Sequence, residues 1–273
     1  MTRAARRRLT GLLVGACVLA SPLAGLPGGI DASASPAASV ATLSNLKTLT
    51  RWAYPQEPAA AHRYPSARSR VVGHLRFLTS QGQPEVYLAL RSYTIGAKVW
   101  VDVPLPGRPN GLTGWVAADA LGEMHVTNEY LRVDRDAMRA TLYRNRHAIW
   151  NAPVGVGRPS LPTPAGHFYV MEKLAVVDGP VYGPYAIGTS AYAPTLNEWP
   201  GGGVVGIHGT DEPQLIPGRP SHGCIRLRNT DVVPCGTCSK SERRSKSSDR
   251  SRNSGSNSGQ QADPIYPLAL LSR

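Results

Sequence analysis

The sequence predicts a mainly β protein, with a small barrel toward the N-terminus and a larger β-rich unit after it. Three observations carry that expectation. Short runs alternate apolar and polar residues, the period of half-buried strands. The 273 residues include 28 Gly and 24 Pro, which suits many tight turns. No long stretch repeats apolar residues at helical spacing, and no internal repeat is present.

Taken in order, residues 1–34 read as a signal peptide. "MTRAARRR" is a positive n-region and "LTGLLVGACVLASPLAGL" an apolar h-region. "DASASPA" offers small residues around Ala32 and Ala34, with cleavage expected near Ala34. "VGAC", ending at Cys17, loosely matches a lipidation site, although Gly15 fits it poorly and the apolar stretch runs on past Cys17. Retention as an uncleaved anchor is the other alternative. The chain is therefore expected to be exported and extracytoplasmic, with membrane contact only if its N-terminus is retained or lipidated.

Residues 35–50 are small and polar and read as a linker. Across 51–122, "VVGHLRFL" (71–78), "EVYLALRSY" (85–93) and "AKVWVDV" (97–103) alternate as strands. "LPGRPNGLTG" (105–114) supplies Pro-Gly and Asn-Gly turn signals, and "GWV" (114–116) opens a last short strand. Such a run predicts a small barrel. With its "TGWVAADAL" ending, the segment resembles a bacterial SH3-like domain. Residues 123–238 form the second unit. In it "YLRVDRD" and "MRATLYRN" make a hairpin turning at Arg135 and Asp136, "HAIWNAPVGVG" continues extended, and "AGHFYVMEKL" returns as a strand. "GVGRPS" is not a dinucleotide loop, since it lacks the third glycine and a following helix. Residues 239–273 read as a disordered tail, because 239–260 hold no apolar residue.

The net charge of +12 divides as +3 in residues 1–34, +4 in 239–273 and +5 in the body. A modestly basic body suits an anionic polymer or is simply a soluble basic surface. It lacks the basic stripe with interleaved aromatics that nucleic acid would call for, so no nucleic acid partner is expected. Removal of the signal leaves Cys224, Cys235 and Cys238, an odd number for an oxidising compartment.

One of those thiols sits in "PSHGCIRLRN", residues 220–229. A thiol with an ordinary pKa near 8.5 is mostly protonated at neutral pH, and an imidazole within reach makes it a competent nucleophile. His208, delivered by strand-like "VVGI", and His222 both qualify. The amides of Gly223 and Cys224 are candidate oxyanion donors. Arg226 is suited to developing charge, a substrate carboxylate or depression of the thiol pKa. The competing readings are a structural cysteine in a turn and a metal site built from His208, His222, Cys224 and the Cys235/Cys238 pair. That pair also reads as a small disulfide loop or as idle thiols.

"GIHGT…RPSHGCIRLRNTDV", with the upstream "VGVGRPSLPTPAGHFYV", resembles the signature of the L,D-transpeptidase (YkuD) catalytic domain over about residues 125–233. The resemblance implies a β-rich, sandwich-like catalytic fold and a cysteine-dependent acyltransferase needing no metal or organic cofactor. Cys224 would be the nucleophile and His208 the proton donor and acceptor, oriented by the Gly209 carbonyl. Ser221, His222, Gly223 and Arg226 would shape the pocket and oxyanion site. Tyr182, Tyr185 and Asn229 would bind substrate, the two tyrosines from a flap. The implied partners are peptidoglycan peptide stems, as donor and acceptor of a 3–3 crosslink in wall biogenesis, with carbapenems as covalent inhibitors. An L,D-carboxypeptidase and a catalytically impaired wall-binding protein are the alternatives.

The sequence departs from that family at the end. A short helix and a closing strand are expected after the signature, yet "NTDVV" runs straight into "PCGTCSKSERR". Residues from roughly 232 or 239 onward therefore read as out of frame or degenerate, leaving a sheet edge exposed. An uninterrupted family ending in another frame of the encoding DNA is the expected result, and its absence would count against this reading.

Overall fold

A computed structural model describes residues 37–176, 180–196, 202–232 and 269–272. The expected signal peptide, Cys17, Cys235 and Cys238 lie outside the described residues. The strands are β1 (Ala38–Thr42), β2 (Thr50–Ala53), β3 (Ala60–His62), β4 (Val71–His74), β5 (Tyr87–Ala89), β6 (Arg91–Ile95), β7 (Lys98–Pro104), β8 (Thr113–Ala117) and β9 (His125–Thr127). They continue with β10 (Glu129–Asp134), β11 (Arg139–Arg144), β12 (His147–Pro153), β13 (Gly155–Gly157), β14 (Gly166–Ala175), β15 (Tyr185–Tyr192), β16 (Val204–His208), β17 (Gly218–Ser221), β18 (Ile225–Arg226) and β19 (Ala269–Ser272). The fold is mainly β, as the alternating pattern predicts.

The N-terminal strands form a six-stranded sheet ordered β1-β6-β7-β8-β3-β4 and a three-stranded sheet ordered β5-β2-β9. In β7, Val101 and Val103 turn into a core shared with Ala61, Leu75 and Val116, while Trp100 and Asp102 alternate to the other face. The stretch read as a linker holds β1, which pairs along its whole length with β6. Small polar residues disguise it, because an edge strand exposed on every residue needs no apolar alternation.

The second unit is a ten-stranded sheet ordered β12-β11-β10-β19-β14-β15-β16-β18-β13-β17. Its core gathers residues such as Leu131, Leu142, Phe168, Val170, Ile187, Ile207, Ile225 and Leu227, all nearly excluded from solvent. Two expectations about the chain end are corrected here. Residues 229–232 are helical, so the helix after the signature does begin. Residues 269–272 are not tail but strand β19, parallel to β10 and antiparallel to β14. The backbone groups along the facing edges of β10 and β14 find partners in "ALLS", and no sheet edge is left open at that point.

The two units are joined rather than strung apart. The described residues, all from 37 onward, fall in one compact unit. Strand β9, beyond the expected boundary at 122, pairs with β2. Trp52, Val86 and Leu88 from the N-terminal unit pack with Tyr169 and Met171 of β14 in a third core cluster. Thr79 donates a hydrogen bond across the junction to buried Glu172, at 2.5 Å. Burial is the main influence on that carboxyl and raises its pKa. Among the described residues no helix is long and apolar enough to cross a membrane.

Candidate active site

Strands β16 and β18 run parallel, with Ile207 opposite Ile225 and His208 opposite Arg226. The isoleucines point into the core. The pleat therefore sends Gly206, His208 and the residue before β18, Cys224, to the other face. A methyl group placed on Gly206 would lie 3.8 Å from His208 Cδ2 and 4.0 Å from Cys224 Sγ, so the ring edge and the sulfur share one small space. The Gly206 N–H donates to that sulfur at 3.4 Å.

His208 is 4% exposed. Its Nδ1 lies 2.6 Å from the Gly209 carbonyl oxygen, a contact that requires the proton on Nδ1 and leaves Nε2 as an acceptor. The Cδ2 side of the ring is the one turned toward Gly206. Burial lowers the His208 pKa to about 4; the Gly209 bond opposes this, and the Arg226 charge adds to it. Burial also raises the Cys224 pKa, while the Gly206 N–H and Arg226 pull it back. Desolvation thus favours a neutral thiol beside a neutral imidazole in the resting site.

The turn that carries Cys224 is held from within. Ser221, buried at the end of β17, donates from Oγ to the Cys224 carbonyl at 2.6 Å and accepts from the Gly223 N–H at 3.1 Å. Gly223 has φ +126°, a conformation that demands glycine although space for a side chain exists there. The Gly223 N–H is therefore engaged with Ser221, which corrects its reading as an oxyanion donor. The Cys224 N–H has no acceptor among the described residues.

Arg226 projects into the same cleft, where its Nη1 donates to Glu212 Oε2 at 2.7 Å and its buried Nε has no partner among the described residues. Tyr182 packs edge-to-face on the His208 ring with centroids 4.9 Å apart. Together with His222, these groups line an open cleft of about 590 Å³ whose apolar walls include Val181, Ala193, Leu196, Val204 and Val205.

Two residues predicted to bind substrate do not line it. Tyr185 packs against the sheet core, and its carbonyl accepts from the Gly209 N–H at 3.4 Å. The Asn229 amide oxygen accepts from the Thr210 N–H at 2.8 Å and abuts the backbone of Gly183 and Gly209, so it fixes the turn after His208. Sequence reasoning missed Thr163. This buried residue donates from Oγ1 to the Gly223 carbonyl at 2.8 Å and accepts from the Gly157 N–H at 2.9 Å, tying the glycine strand β13 to the turn that carries Cys224. Its place in "LPTPAG" was the available signal. Among the described residues no three His, Cys, Asp or Glu side chains cluster as a metal site.

Residues 128–233 match the family model of the L,D-transpeptidase catalytic domain, YkuD. The match lies within the second unit. A Bacillus subtilis protein assigned as a candidate L,D-transpeptidase, YkuD, is 29% identical over 130 residues, covering 47% of this chain and 72% of its own length. Its Bacillus licheniformis counterpart is 32% identical over 102 residues, covering 35% of this chain and 54% of its own. Among solved structures, a cysteine-to-serine mutant of Enterococcus faecium L,D-transpeptidase is similar at 20% identity and a TM-score of 0.32. That match covers 53% of this chain and 49% of the other, so this chain spans about half of that structure.

Proposed function

We propose that this protein is a peptidoglycan L,D-transpeptidase that forms 3–3 crosslinks through a Cys224 thioester. The observation that carries the proposal is the His208 ring, held by the Gly209 carbonyl through Nδ1, with its Cδ2 and the Cys224 sulfur both beside Gly206. The match of residues 128–233 to the L,D-transpeptidase catalytic domain supports the substrate class.

The chemistry follows from a neutral pair. As Cys224 Sγ bonds to the carbonyl carbon between diaminopimelate and the terminal D-Ala, the thiol proton passes to His208 Nε2. The Cys224 N–H and the Arg226 guanidinium are the donors available to the developing oxyanion. The C–N bond then breaks, the imidazolium protonates the leaving amine, and D-Ala departs. In the second half an acceptor amine gives its proton to His208, its nitrogen bonds to the acyl carbon, and the C–S bond breaks to restore the thiol. Burial makes the imidazolium costly in the resting site, so the proton moves only as the S–C bond forms. Peptide stems are the partners on this reading, carbapenems the covalent inhibitors, and no cofactor takes part.

Export to the cell wall belongs to the same proposal, supported by the signal-like residues 1–34. So does the SH3-like reading of 51–122, supported by short antiparallel strands around a compact apolar core. Incubation with a tetrapeptide stem ending in D-Ala tests the function. Release of D-Ala with a crosslinked dimer is expected from the wild type and not from Cys224→Ala. Free tripeptide without dimer would make the protein a carboxypeptidase, and no release from folded protein would overturn the proposal.

A further inference from the structure

The turn "LPGRPNG" belongs to the N-terminal unit, yet two of its side chains grip the wall of the candidate active site. Arg108 Nε donates to the Ala193 carbonyl at 2.9 Å, and its Nη2 donates to the carbonyls of Leu196 and Gly202 at 2.8 and 3.0 Å. The guanidinium carbon also sits 5.1 Å from the centre of the Tyr192 ring. Two residues on, Asn110 donates from Nδ2 to the Tyr192 carbonyl at 2.7 Å and accepts from the Tyr192 N–H at 2.9 Å. Its carboxamide pairs with the end of β15 as a neighbouring strand would.

The held carbonyls belong to residues just after β15 and just before β16, where the Ala193 N–H also bonds the Gly203 carbonyl at 2.8 Å. Ala193, Leu196 and Gly203 line the cleft that Cys224 and His208 face. Gly203 has φ +84°, and a methyl group there would overlap the Leu196 carbonyl oxygen and Arg108 Nη2, so the guanidinium and that carbonyl close in where a side chain would stand. Three carbonyls converging on one fork of charged donors are geometrically specific, which a lysine cannot reproduce.

We propose that Arg108, assisted by Asn110, is a positioning residue for substrate, by which the N-terminal unit sets the wall of the transpeptidase cleft. The inference rests on the functional reading above and extends it: the first unit belongs to the active site and is not only a wall anchor. Arg108 touches no reacting atom. Without it Ala193, Leu196 and Gly202 lose their charged donor and the cleft wall loses its fixed distance from Cys224, and small misplacements of this kind cost roughly 10- to 100-fold in rate.

The test uses the full mature chain with two probes of the same thiol. Carbapenem acylation of Cys224, followed by intact mass over time, needs the shaped cleft. Alkylation by iodoacetamide needs only the thiol. Arg108→Ala is expected to slow acylation at least about tenfold and to leave alkylation within about twofold. Should Arg108→Ala fold poorly, Arg108→Lys serves, with an intermediate acylation rate at unchanged melting temperature. Equal acylation in wild type and folded Arg108 variants, or a parallel loss of both reactivities, overturns this inference alone. A wild type that carbapenem leaves unmodified overturns the functional reading, and this inference with it.

Discussion

At the scale of single residues, burial decides the chemistry of the site. With the His208 pKa held near 4, the free protein keeps a neutral imidazole there at pH values where an exposed one is protonated. The acylation rate is therefore expected to stay independent of His208 protonation down to about pH 5 and to fall as pH drops through about 4; a midpoint near 6.5 would contradict the buried base. The same shift has a stability sign. The unfolded imidazole binds its proton near pH 6.5 while the folded one resists, so His208 contributes stability above that value that is lost as pH falls from about 6.5 to 4, on the order of 3 kcal/mol. The raised Cys224 pKa predicts that the resting enzyme shows no thiolate absorbance near 240 nm at pH 7, and a strong band there would mean a preformed ion pair. Cys224, His208 and Gly209 were legible as a set because the signature is a local string. Thr163 was not, because "LPTPAG" marks the stretch as part of the pattern while the role of its threonine appears only when the fold sets it between Gly157 and Gly223. Thr163→Val leaves the Gly157 N–H and Gly223 carbonyl unpaired in a buried setting, an expected loss of about 1–3 kcal/mol by denaturant titration. No measurable loss would show that the turn does not depend on this bridge.

At the scale of elements, β10 to β14 and β16 were readable from alternation and from the turns between them. The two misreadings share a cause, which is that residue chemistry is a poor guide where only the backbone is being paired. Strand β1 lacks apolar residues on a buried face, and β19 follows a long Ser- and Arg-rich stretch that hides the short apolar run "LALL". Because β19 lies between two strands, Leu270 is flanked by Leu131 on one side and Phe168 on the other. Proline at 270 removes a ladder donor from the middle of a sheet. Leu270→Pro is expected to speed hydrogen exchange at 130–133 and 166–169 by an order of magnitude or more, or to prevent folding. Unchanged exchange in a soluble variant would mean that β10 and β14 do not rely on this strand.

At the scale of the whole molecule, the sequence reads as two units, and the structure binds them through the Trp52–Tyr169 cluster, the Thr79–Glu172 bond and the β2–β9 pairing. These contacts are long-range, and nothing in local periodicity announces them. They predict one cooperative thermal transition for the mature chain, followed by Trp fluorescence and far-ultraviolet circular dichroism together; two separated transitions would show independent domains. The Arg108 grip on the cleft wall belongs to the same level of organisation, since a turn residue of one unit completes the site of the other. The central claim is that Cys224 and His208 form a working acyl-transfer pair within this body. Intact-mass spectrometry of the folded mature protein after exposure to a carbapenem tests it most directly. The account predicts a single covalent adduct on the wild type that is absent from Cys224→Ala. Folded wild-type protein that stays unmodified, or an adduct that persists in Cys224→Ala, would contradict it.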